Sequence, residues 1–173
     1  MRKTVLILLI TLSIVRCKQN EENPTQDMNS LKVEINDLLD SWHKAAGKAD
    51  YQNYFGALDS LSVYVGTDAA EVWNKKQFST FSKPYFDRGN AWSFKALNRN
   101  IYFSKNNEVV WFDELLDTWM GLCRGSGVLE KTNNKWKIKH YVLSVTIPND
   151  KINSVIKINK ATDSIYKNNH FNN

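Results

Sequence analysis

An α+β fold is the architecture this chain predicts, and three observations carry it. Apolar residues recur at helical spacing ahead of Gly89; long runs of aromatic and β-branched residues fill the stretch from Ala91 to Ile147; and Asn and Gly turn formers divide that stretch into four. Helices first and a meander of strands afterwards place the helices on one face of a mostly antiparallel sheet.

The first seventeen residues read as an address. Met1-Arg2-Lys3 is a short positive start, and Thr4 to Val15 is a predominantly apolar stretch. That stretch is too short to span a hydrocarbon core, which needs about 20 helical residues, and it suits the hydrophobic part of a secretory signal peptide. Cys17 follows, then the polar run Lys18-Gln19-Asn20-Glu21-Glu22. The order resembles a bacterial lipoprotein signal, in which the cysteine becomes the lipidated first residue. Arg16 departs from that pattern, where a small residue is usual. The expectation is an exported lipoprotein of the bacterial cell envelope, on the periplasmic or surface side. It would touch the membrane only through a lipid anchor at Cys17. Acylation of Cys17 would leave Cys123 without a disulfide partner, a small hydrophobe inside a strand.

Residues 18–28 read as a disordered tether, 29–160 as the domain, and 161–173 as a polar, flexible tail. From Asn29 or Ser30 as cap, Leu31, Ile35, Leu38, Leu39, Trp42 and Ala46 mark one amphipathic helix, stopped by Gly47. Asp50 caps a shorter helix with Tyr51, Tyr54, Phe55 and Leu58 on its apolar side. Leu61 to Val65 alternates as a strand. Asn74 and Gln77 have capping-box spacing before Phe78, Phe81 and Tyr85, in a helix that Pro84 should kink or end. The strands expected after Asn90 run over 91–104, 108–119, 122–131 and 135–147, with turns at Asn106-Asn107, Gly121 and Asn133-Asn134.

Composition excludes some partners. The net charge of +5 owes three positives to Arg2, Lys3 and Arg16, and elsewhere Lys alternates with Asp and Glu. No basic block follows a phosphate backbone, so no nucleic acid is expected. Six tryptophans in a 12% aromatic chain suit a broad core or an aromatic-lined cavity.

Trp42-His43-Lys44-Ala45-Ala46 with Asp50, then Gly66-Thr67-Asp68 with Glu71-Val72-Trp73, resemble segments of SnoaL-like domains. So do Arg124-Gly125-Ser126-Gly127-Val128-Leu129-Glu130, Trp136 to Tyr141, and Ile147-Pro148-Asn149. The likeness covers roughly residues 30–150. It implies the nuclear transport factor 2-like cone, in which a curved sheet wraps around N-terminal helices and leaves a pocket. It also implies that a homodimer through the sheet is common, and it leaves the activity open, since fold does not imply function.

Strict alternation along the last strand puts Trp136, Ile138, His140, Val142 and Ser144 on one side, with Lys137 and Lys139 in water on the other. His140 is then a core histidine or a pocket acid/base. Arg124 depends on the hairpin. A two-residue turn at Asn133-Asn134 sets Gly125 and Gly127 against the His140 face and opens space. A left-handed bulge at Asn134 sets Arg124 and Ser126 there, where a guanidinium could hold a carboxylate or enolate. Asp113 and Glu114 point to opposite faces, so only one can enter a pocket; Asp113 is the candidate base, against a plainer place at the sheet rim. Trp42, Tyr54, Trp73 and Trp92 are core or pocket lining, and Ser144 shares the His140 side. His43 lies at the edge of its helix's apolar stripe. No metal site is expected from His43, His140 and His170, and no cofactor, because no dinucleotide fingerprint or nucleotide loop is present.

Three functions remain open. The favoured one is a non-catalytic pocket for a small, largely apolar ligand. The second is an isomerase, cyclase or dehydratase. In it His140 or Asp113 takes a proton beside a carbonyl, and Arg124 or a tyrosine stabilises the oxyanion. The third is a structural or interaction lipoprotein with a filled core.

Overall fold

In the computed structural model residues 24–171 of the chain are described. The segment read as a signal, Cys17 and the expected tether as far as residue 23 lie outside the described residues.

Helix α1 (Pro24–Gly47) turns Ile35, Leu39, Trp42 and Ala46 inward, none more than 2% exposed. It starts earlier than the tether boundary allowed. Pro24 occupies the first helical position, where its fixed φ fits and its missing N–H is not needed. Asp50 caps α2 (Tyr51–Ala57) by accepting the Asn53 N–H at 3.1 Å, and Tyr54 and Phe55 are buried. Strand β1 (Leu58–Val65) pairs with a short β2 (Val72–Asn74) that the sequence did not announce. The Asn74–Gln77 capping box opens α3 (Lys75–Asp87), which runs through Pro84 to Asp87. Phe86, 4% exposed, anchors that last turn in the core and offsets the missing donor.

Strands β3 (Lys95–Phe103), β4 (Val109–Thr118), β5 (Gly121–Thr132) and β6 (Lys135–Val145) complete a curved six-stranded sheet of order β2-β1-β6-β5-β4-β3. Only the β1–β6 pairing among these is parallel. Asn133 and Asn134 both take positive φ, 50° and 59°, and Thr132 pairs with Lys135. The hairpin is therefore the two-residue turn with both central residues left-handed.

One residue changes the sense of β6. Val128 pairs with His140 but Leu129 pairs with Ile138, so Lys139 is an extra, bulged residue. Its ammonium is held by Asp59 at 3.2 Å and Glu130 at 3.1 Å. Before the bulge Trp136 and Ile138 face the core; after it Tyr141 and Leu143 do. Gly127 lies opposite, where a Cβ would stand 2.6 Å from the His140 carbonyl oxygen. A side chain there would push the bulged backbone away.

Beyond a short 3-10 turn (Asn149–Lys151), the expected loose tail is instead helix α4 (Ile152–Phe171). None of its residues is buried. It leans on the loop after β1 through the Tyr166 hydroxyl, which donates to the Ala69 carbonyl at 3.1 Å. Asn- and Lys-rich composition hid this helix because its contacts are few.

Candidate functional site

The residues proposed from the sequence as catalytic do not meet in the cone: His140, Asp113 and Arg124 all lie on the outer face of the sheet. The bulge turns His140 to the outer face of the sheet, half-buried, in the row Tyr102–Trp111–Val128–His140. Asp113 is on that outer face too, 3.4 Å from the guanidinium of Arg124, which is 54% exposed. With the two-residue turn in place, it is Gly125 and Gly127 that point inward and Arg124 that points out. Ser144 is exposed beside Arg124. Strict alternation breaks at one residue, Lys139, and everything C-terminal to it lies on the opposite side from that expected.

The buried acid is the neighbour, Glu114, which has no solvent exposure. Its Oε1 accepts from His43 Nε2 at 2.7 Å and from the Tyr141 hydroxyl at 3.0 Å. Its Oε2 accepts from Arg99 Nε at 2.9 Å, with Nη2 forming an ion pair at the same distance. Arg99 reaches on to Asp40 at 2.9 Å and Asn36 at 3.0 Å on α1. Gly125, across from Glu114 in the register, makes the room: a Cβ there would stand 2.9 Å from Glu114 Oε1 and overlap the Tyr141 hydroxyl. Burial is the largest influence on the Glu114 carboxyl and pushes it up. The His43 hydrogen bond and the charges of His43 and Arg99 together outweigh it, leaving the carboxyl below its ordinary value. Burial, and then the Glu114 charge, push the Tyr141 hydroxyl well above the ordinary tyrosine value. His43, at the edge of the apolar stripe of its helix, is 6% exposed.

This cluster is closed. Trp42 packs edge-on against Tyr141 at 4.8 Å and stacks on Tyr54 at 5.1 Å, so these two predicted pocket residues form the core around it. The carboxylate's two oxygens are fully engaged by Arg99, His43 and Tyr141, a satisfied network rather than a poised base.

An open cavity of about 430 Å³ lies one layer away. Its floor is the buried trio Tyr64, Phe78 and Leu143; Trp73 and Trp92 form walls. The rim is exposed: Phe81, Tyr85 and Trp119, the last 81% exposed. Phe81, Trp73, Phe78 and Trp92 stack in near-parallel succession at 4.7, 5.5 and 5.9 Å. Of the four aromatics named from the sequence, Trp73 and Trp92 line this cavity and Trp42 and Tyr54 do not. Among the described residues no group of His, Cys, Asp or Glu is arranged to hold a metal ion, and no helix is long and apolar enough to cross a membrane.

The sequence model of the SnoaL-like domain matches residues 35–148. No curated protein matches the chain. Among solved structures, a nuclear transport factor 2-like protein of unknown function from Pseudomonas putida is similar at TM-score 0.59 and 12% identity, covering 71% of this chain and 92% of that one. One from Cytophaga hutchinsonii is similar at TM-score 0.57 and 13% identity, covering 66% and 98%. A protein of unknown function from Mycobacterium tuberculosis is similar at 0.59 and 11%, covering 74% and 79%. At such identities the likeness shows the fold alone.

Proposed function

The chain belongs to the SnoaL-like domain family, a ligand-binding or small-molecule-converting fold, and from that premise we propose that it binds a small, largely apolar molecule without transforming it. The observation that carries this is a separation: the aromatic cavity is open, while Glu114, His43 and Tyr141 lie outside its lining in a sealed network. A general base must come within hydrogen-bond reach of the proton it takes, and a group with both oxygens occupied behind a wall of rings does not. The cavity volume falls within the range of small-molecule sites, which are mostly apolar with few polar groups.

The same proposal includes export and display in the cell envelope, tethered through Cys17, supported by the positive, apolar and polar succession of the first residues. It includes a homodimer through the outer sheet face, supported by the exposed Tyr102 and Trp111 there.

Native mass spectrometry of the full chain, purified from a bacterial host, tests the binding function. A consistent extra mass, lost in the cavity-filling variant Ala91→Trp, is the expected result. Identical spectra for the two proteins, alongside equal affinity for an apolar fluorescent probe, would remove the cavity from consideration.

A further inference from the structure

We propose that the cavity is selective for an organic cation, an alkylated ammonium group carried on an apolar body. This rests on the cavity being the binding site, and adds the charge of what enters it.

Glu71 is the one charged residue of the lining among the described residues, and the lining has no Lys, Arg or His. Its position is built. The Gly66 N–H donates to the Glu71 carbonyl at 2.8 Å, closing the loop between β1 and β2. A Cβ at Gly66 would stand 2.9 Å from the Glu71 Cβ and overlap its carboxylate. Only a residue without a side chain lets Glu71 fold over this turn. The Asp68 N–H then donates to Oε2 at 3.2 Å, while no hydrogen bond among the described residues engages Oε1. The negative charge is felt on the floor: after burial, Glu71 is the next influence raising the Tyr64 hydroxyl.

The walls favour the same sign. Aromatic faces are negative in the ring quadrupole and attract a cation within about 6 Å of the centroid, and Phe81 and Trp92, the end members of the stack, each keep one face that the stack does not cover. The rim already takes one: the Arg88 guanidinium, from outside the lining, stands 4.9 Å from the Tyr85 centroid. A carboxylate ligand would meet Glu71 and these rings, and the cation at the rim, Arg88, is already seated over Tyr85. Arg124, the residue that could have held an anion, points the other way.

The test uses the full chain and three probes of similar shape: benzyltrimethylammonium, its neutral isostere neopentylbenzene, and phenylacetate. Binding is read by quenching of tryptophan fluorescence. The cation is expected to bind about tenfold more tightly than the neutral isostere, with the anion weakest. Glu71→Gln should bring cation and neutral probe within about twofold, while Glu71→Asp keeps part of the preference. Unchanged melting temperatures confirm that both variants are folded. A neutral probe that binds as tightly as the cation, or an unaltered ratio in Glu71→Gln, overturns the charge selection and leaves the cavity as an apolar site. No response to any of the three overturns both.

Discussion

His43 and Glu114, 71 residues apart, are joined by a 2.7 Å hydrogen bond inside the core. The bond ties α1 to β4, and Arg99 doubles the tie from β3 by pairing with Glu114 and with Asp40. The network is a clasp between the first helix and the far side of the sheet. Glu114→Ala leaves the nearly buried Arg99 cation facing an empty space, a loss of about 3–5 kcal/mol. Glu114→Gln keeps the shape but turns an amide donor or a neutral oxygen toward Arg99, and should lose about 1.5–3 kcal/mol. Urea unfolding followed by circular dichroism measures both. An alanine variant as stable as the wild type would mean that the clasp is ornamental.

The same carboxylate sets a pH dependence. Its pKa in the folded protein lies below the ordinary value of 4.5, so the unfolded chain binds its proton more readily. The stabilisation is therefore fully present above about 4.5 and is lost as pH falls through the lower folded value. Asp59, lowered first by the Leu61 N–H that it accepts, acts in the same direction. The stability gap between wild type and Glu114→Gln should be widest at neutral pH and narrow below pH 4.5. A gap that stays constant down to pH 3 would show that Glu114 does not lose this stabilisation on protonation.

Gly125 and Tyr141 occupy one volume between them. Gly125→Ala forces its Cβ onto the Tyr141 hydroxyl and toward Glu114 Oε1, an overpacking that costs about 1–3 kcal/mol. Tyr141→Phe removes the colliding oxygen along with the 3.0 Å hydrogen bond to Glu114. In the double variant the first loss should shrink, a coupling of about 0.5 kcal/mol or more by thermal unfolding. Strict additivity would mean that the strand shifts as a whole instead.

The elements were legible because period and punctuation agree: the α1 stripe, the Asn74–Gln77 capping box and the Asn turns all stand where the sequence puts them. The facing of β6 was not, because Lys139 adds one residue without any local mark. Its reason is tertiary, in Asp59 and Glu130. Glu114 left a readable trace, sharing its period-two row with Val110, Phe112 and Leu116, all buried. An acid in so apolar a row must have partners. Those partners, His43 and Arg99, come from distant elements and carry no spacing that would name them.

The outer face of the sheet makes the last prediction. Tyr102 and Trp111, 44% and 45% exposed, stack at 6.0 Å on adjacent strands, with half-buried Val128 opposite Trp111 on β5. An apolar strip of this kind, rimmed by the Asp113–Arg124 pair, suits a self-complementary contact in which each copy presents the same patch. Trp111→Lys sets a cation at the centre of that contact, opposite its own symmetry mate, and leaves the buried face of β4 untouched. Sedimentation velocity should show a dimer for the full chain and a monomer for the variant, with unchanged circular dichroism. If the wild type sediments as a monomer at tens of micromolar, the strip is a wall of the fold and not an interface.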